Sequence, residues 1–516
     1  MTKKTTRTKI TMKTMMTVKI KRLILPAVLI ALGLPVCVWG SSELTDSANK
    51  DWLELVRRYT SADEVSFEGT KWDKLASTYS GRKPVNALAE WWSNFGDELL
   101  TELIEMSFRN NKDMVSSRAR VLEARAQLGA TMSGMSPKAD GGAAWTNSRA
   151  SDNTYGGGST NTYRIGMDAS WELDLFGKKA EELKADKSSL ESQEALLQSA
   201  WVSLSAEVAV NYITLRTLQE RLKIAERNIE VQKDIYGLVK SQYEAGLRDE
   251  LSVSQAGYTL ERTKSSVPPL VQSISETMNA LAILTGEIPG SLNEMLSSSK
   301  QDMPLPQADM SLLVGIPVES LRQRPDIRAA ERTWTAQVSR RKSAEKGYYP
   351  TISLAGSIGL ESLSTSNLFD GGSYGFSIGP RITWPIFNSG AVRKNIRIQS
   401  AREEQYFAAF EASILKAAAE VRDALTANAQ EAERNILLKR GLSSARSAMD
   451  IARDKYVQGL APFNDVLTAM QAVYSLEDDC TASDGRKMMN MIALFKALGG
   501  GWEPFTRQQD NKKTPE

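Results

Sequence analysis

The chain has 516 residues, length for two to four ordinary domains, with 64 Lys+Arg against 62 Asp+Glu and no histidine. Lack of histidine removes the usual general base and a common metal ligand, and the cysteines, Cys37 and Cys480, form no CxxC pair, so much enzyme, zinc and dithiol chemistry loses its usual residues. The nominal charge of +2 lends no support to nucleic-acid binding, because eight of the basic residues crowd into the first 22 positions.

Those eight are Lys3, Lys4, Arg7, Lys9, Lys13, Lys19, Lys21 and Arg22, with no acid among them. They precede an apolar run, Leu23 to Val36, of 14 residues. That is short for a membrane span and right for the core of an export signal, so residues 1–40 read as a signal peptide. Val38-Trp39-Gly40 permits cleavage after Gly40. Lipidation of Cys37 is the alternative, although the valine before it makes a poor lipoprotein box, and an uncleaved anchor is a third outcome. Without this segment 56 basic residues face 62 acidic ones, a net charge of −6.

Residues 41–98 form a mixed N-terminal segment in which Trp91 and Trp92 suit core packing. The pattern predicts a helix over 99–135, then a hairpin over 142–175 around the Gly/Ser/Asn loop 152–160. Residues 178–245 contain no proline and one glycine, with apolar residues stepping by three and four from Leu197 to Ile229. At about 1.5 Å per residue this is a rod of about 100 Å. Gly246 stops it, and a return helix over 250–284 is interrupted at Pro268-Pro269. Residues 286–318 read as a linker. The plan then repeats: helix 319–347, hairpin 351–390, long helix 391–457, turn at Gly459, helix 463–497, and a polar tail over 501–516 expected to be disordered.

The repetition is literal. Phe376–Gly390 alternates apolar and small or polar residues, which predicts a strand. The same pattern over Tyr163–Gly177 lies 213 positions earlier, and that offset also joins Asp113 to Asp326, Pro137 to Pro350, Tyr243 to Tyr456 and Gly246-Leu247 to Gly459-Leu460. A single ungapped offset over this span marks two duplicated halves, 99–285 and 319–500.

Each chain therefore offers four long strands. Strands that span a membrane must close to hide their edges, and about eight is the practical minimum. The sheet has to be shared: two chains give eight strands, three give twelve. Tyr348, Tyr349, Trp171 and Trp384 all fall where strand meets helix, as an interfacial girdle would. A soluble sandwich with these aromatics in its core is the alternative.

Several motifs carry a resemblance: RPDI (Arg324–Ile327) followed by AAE, GYYP (Gly347–Pro350) followed by TISLAGSIG, WELDLFG (Trp171–Gly177) and KALGGGW (Lys496–Trp502). Between Trp91 and Trp502 the chain resembles the outer membrane efflux proteins, the TolC-like outer membrane factors, and within them the NodT/OprM-like branch that serves RND pumps. The resemblance implies a mostly α fold: a homotrimer with a twelve-stranded outer-membrane β-barrel, continued by a long α-helical coiled-coil periplasmic barrel with an equatorial domain. It implies a passive exit duct for drugs or other small solutes, partnered by a periplasmic membrane-fusion adaptor, an inner-membrane pump and outer-membrane lipid, with no cofactor. A duct for type I protein secretion and a trimeric coiled-coil surface protein are the competing readings.

Gly246 and Gly459 read as helix stops from the residues alone. The resemblance makes the turns Gly246-Leu247 and Gly459-Leu460 the adaptor-docking tips and places a periplasmic gate beside them. Tyr456 matches the family's gate tyrosine and Asp465 its first aspartate; Ala461 and Thr468 depart from a basic residue and a second aspartate. The first-half counterpart of Asp465 is Ser252, with Asp249 and Glu250 nearby as substitutes. Asp465 is otherwise a carboxylate at a helix start, favoured by the dipole.

Overall fold

The computed structural model describes residues 89–153, 157–298 and 323–502. The signal peptide with Cys37, most of the N-terminal segment, much of the linker and nearly all of the tail lie outside the described residues.

A 3-10 turn over Trp91–Phe95 leads into α1 (Glu98–Asn110) and α2 (Lys112–Ser133). The single helix expected here is broken at Asn111, whose side chain accepts from the backbone N–H groups of Asp113 and Met114 and so caps α2 instead of continuing α1. Strands β1 (Lys138–Ala150) and β2 (Gly158–Leu173) form the first hairpin. Then come α3 (Lys178–Glu244), α4 (Glu250–Lys264) and α5 (Val267–Thr285). Pro268-Pro269 falls in the first turn of α5, where a missing N–H costs nothing, so the return helix divides there. The expected linker holds a short helix, α6 (Asn293–Ser298).

The second half supplies α7 (Pro325–Lys346), β3 (Thr351–Ser362), β4 (Tyr374–Thr383), α8 (Ala391–Val457) and α9 (Phe463–Ala497). Both long helices, α3 and α8, run 67 residues. Strand β4 ends seven residues short of the expected limit at Gly390. Pro385 has no N–H to donate, and Ile386 turns back to bond the Trp384 carbonyl, so the alternating pattern outlasts the ladder.

The sheet is antiparallel in the order β1-β2-β3-β4, leaving β1 and β4 as open edges. Its register sorts the two faces. Rows such as Met167–Ile358–Phe376 and Ala169–Gly356–Ile378 form an apolar face, exposed on the protomer. The opposite face carries Arg164 beside Glu361, Asp140–Asp168–Ser357–Ser377, and a full row of glycines, Gly142–Gly166–Gly359–Gly375. Arg164 and Asp168 pair at 3.0 Å across that glycine row.

Helix α3 is the central packing element, touching α1, α2, α4, α5, α7 and α9, while α8 packs on α7 and α9. The largest core joins the N-terminal turn to α3 and α9. Trp91 stacks on Phe495 at 5.3 Å, with Trp92, Trp201, Ile213 and Met491 buried around them. Tyr212 donates to Asp97 at 2.6 Å; burial first, then that carboxylate, push its pKa upward. Two motifs far apart in sequence meet here. The buried Arg324 binds Asp326 at 2.8 Å, Glu420 at 2.7 Å and the Ala497 carbonyl at 2.6 Å. It lies so close to Gly499 (φ 75°) that a Cβ there would meet its Cγ at 2.9 Å. RPDI thus locks onto KALGGGW.

Candidate functional site

At the far ends of α3 and α8 the chain turns twice in the same way. Gly246 (φ 74°) and Gly459 (φ 72°) take the left-handed conformation that only glycine adopts freely. Gly246 N–H bonds the Tyr243 carbonyl and Leu247 N–H that of Gln242; Gly459 and Leu460 repeat this on Tyr456 and Lys455. These are Schellman caps, which satisfy the last carbonyls of each helix. Both leucines project from the turns at 74% exposure. The expected tips are therefore matching, exposed apolar points.

The tips are held side by side. Val239 of α3, Ala256 of α4, and Phe463 and Leu467 of α9 form a small core, with Tyr456 against it. Tyr456 Oη donates to Gln242 Oε1 at 3.2 Å, tying α8 to α3. Arg248 Nε donates to the same oxygen at 3.4 Å, and its guanidinium sits 4.7 Å from the centre of the Tyr456 ring. Phe463 packs on that ring at 5.5 Å.

Asp249 and Asp465 stand outside this knot, both exposed. Asp249 caps α4, accepting from Ser252 N–H at 3.1 Å and Ser252 Oγ at 2.6 Å. Those bonds, with the charge of Arg248 as a smaller cause, hold its carboxyl below the usual range. Asp465 lies in the first turn of α9, and its carboxylate has no hydrogen bond or ion pair among the described residues. Sequence reasoning missed Gln242 and Arg248. The duplication held a clue: Arg248 is the first-half counterpart of Ala461, so the basic residue absent from one tip is supplied by the other.

At the opposite end the four girdle aromatics meet the ends of the strands. Trp171 Nε1 donates to the Met135 carbonyl at 2.8 Å, and Trp384 Nε1 to the Tyr348 carbonyl at 3.1 Å, equivalent bonds in the two halves. Phe176 stacks on Tyr349 at 5.0 Å. Each indole thus spends its polar edge on the backbone and leaves its ring exposed, as an interfacial aromatic does. Among the described residues no helix is long and apolar enough to cross a membrane.

Comparison with known proteins agrees with this geometry. The chain is 29% identical over 420 residues to the cation efflux system protein CusC of Escherichia coli, covering 80% of this chain and 89% of that one. It is 28% identical over 446 residues to the toluene efflux pump outer membrane protein TtgF of Pseudomonas putida, covering 86% and 92%. Among solved structures, the outer-membrane channel OprN superposes with a TM-score of 0.75 at 32% identity, over 80% of this chain and 93% of that one. The four strands here are accordingly a share of an outer-membrane barrel, and the long helices are periplasmic. The family model described as outer membrane efflux protein matches twice, over residues 103–287 and 316–500, displaced by the 213 positions of the internal repeat. The chain belongs to that family, the TolC-like outer membrane factors.

Proposed function

We propose that this efflux channel is the passive exit duct of a tripartite system, driven by an inner-membrane pump of the RND type and joined to it by a periplasmic adaptor. The observation that carries the reading is the sheet: four strands with two open edges, one apolar face and one polar face, continued by two helices of equal length. Such a sheet is stable in lipid only when identical copies close it, and closure turns the polar face inward around water. Three copies give the twelve strands the family fold requires. The exposed Leu247 and Leu460 suit docking of an adaptor's helical end. The names of the relatives range from cation to toluene efflux, so the solute here is the broad class of drugs and other small solutes.

The gate in this proposal is the tip. Tyr456 holds α8 to α3 through Gln242, and three copies of Asp465 line the closed aperture, with Asp249 as the first-half carboxylate of the gate. A ring of carboxylates attracts cations. The test is single-channel recording of the purified protein in planar bilayers. The native protein should open rarely and prefer cations; Asp465→Ala should lose about half or more of that preference and weaken block by divalent ions. Unchanged conductance, selectivity and divalent block in Asp465→Ala would remove the ring from the mechanism.

A further inference from the structure

The two strand-to-helix junctions share an ancestor but not a chemistry. In the first half the junction is anchored. Asp174 accepts from the Ala180 N–H at 2.7 Å, Phe176 stacks on Tyr349, and Lys179 pairs with Glu172 at 3.2 Å. Lys184 is neutralised by Glu181 at 2.9 Å.

The second-half junction reverses these choices at matching positions. Phe387 stands where the first half has Asp174, Pro385 where it has Glu172, Arg393 where it has Ala180, and Lys394 where it has Glu181. Ile386 and Phe387 are 84% and 89% exposed, the highest values among the large apolar side chains described. Arg393, Lys394 and Arg397, on the first two turns of α8, are exposed, and none is in an ion pair among the described residues. The loop directly continues the aromatic rim at Trp384, on the side of the sheet from which the periplasmic helices leave.

We infer that this junction is a docking surface for anionic phospholipid of the periplasmic leaflet. Ile386 and Phe387 enter the acyl boundary, and Arg393, Lys394 and Arg397 bind the headgroup phosphates. An apolar tip beside unpaired cations is complementary to a negatively charged lipid surface, and each such cation strengthens attachment there. The first-half junction carries less of this complementarity: Lys179 and Lys184 are paired and Asp174 stands in place of Phe387, which leaves Leu175 as an exposed apolar side chain and Lys178 as the cation of its first two turns with no ion pair among the described residues. Three copies would place three such contacts around the barrel.

The inference rests on insertion of the hairpins in a membrane, so the experiment measures both. Full-length protein is reconstituted in phosphatidylcholine nanodiscs with and without phosphatidylglycerol, carrying an environment-sensitive fluorophore at Phe387→Cys or, on the apolar strand face, at Phe376→Cys. Bromine-labelled acyl chains should quench both probes. Native mass spectrometry of the unlabelled protein should show phosphatidylglycerol retained over phosphatidylcholine. That ratio should fall about fivefold for each of Arg393→Gln, Lys394→Gln and Arg397→Gln, and should shrink as salt rises. Single variants at exposed positions keep folding intact, which circular dichroism checks. A quenched Phe376 probe with an unquenched Phe387 probe overturns the surface but leaves the channel; a neighbouring protomer then covers the loop. Equal retention of both lipids also overturns it. Two unquenched probes would remove membrane insertion itself.

Discussion

Arg324 shows how much one residue can hold. Its guanidinium is buried, yet each of its three nitrogens donates a hydrogen bond, to two carboxylates and to the last turn of α9. Replacing it by alanine strips partners from three elements and should cost about 3 kcal/mol, read as a lower melting temperature of the helical signal. Burial alone would raise the Asp326 pKa, but the bond from Arg324 and its charge outweigh that and hold the carboxyl below its usual value. Its ionised form therefore contributes stability above the ordinary carboxylate pKa of about 4, which is lost as pH falls through the lower folded value. Asp326→Asn should melt lower than the native protein at neutral pH and show a shallower loss in acid. At the tip, Tyr456→Phe deletes one hydrogen bond of about 0.5–1.5 kcal/mol and should raise the open fraction about two- to tenfold in single-channel records. The motif carrying Arg324 was plain in the sequence. Gln242 was not, because its second-half counterpart is Lys455 and the repeat gives no matching residue.

At the scale of elements, periodicity did most of the work. The ends of α8 fall where the breaker-free stretch predicts them, and those of α3 within one residue, because glycines in positive φ bound both helices. Ladder limits were less legible: alternation in Trp384–Ile386 continues past a proline that ends the pairing, and Asn111 broke a run that composition alone would keep helical. The glycine row across the sheet belongs to the same scale. A Cβ on Gly359 would lie 2.5 Å from the Ile165 carbonyl oxygen and 2.7 Å from the Gly166 Cα, at the seam between the two hairpins. Gly359→Ala should force β2 and β3 apart and reduce the yield of heat-resistant barrel on gels. Gly237→Ala is the contrasting case: an exposed helical position with nothing within 4 Å, where alanine should stabilise by about 0.5–1 kcal/mol.

At the scale of the molecule, the open edges β1 and β4 decide the assembly. Native mass spectrometry of detergent-solubilised protein should give three chains, and a stable folded monomer would contradict the shared barrel. This need was legible from strand number alone. The equal span of α3 and α8 constrains how such a chain can change its reach. Both tips stand level because each helix spends the same 67 residues getting there. An extra heptad in α3 alone would carry Leu247 about 10 Å beyond Leu460 and tear Gln242 from Tyr456. The same heptad placed in both, and matched in the two return helices, would lengthen the conduit with its tip intact. This chain can therefore extend its own reach with the tip intact only by insertions that arrive together, four to a chain.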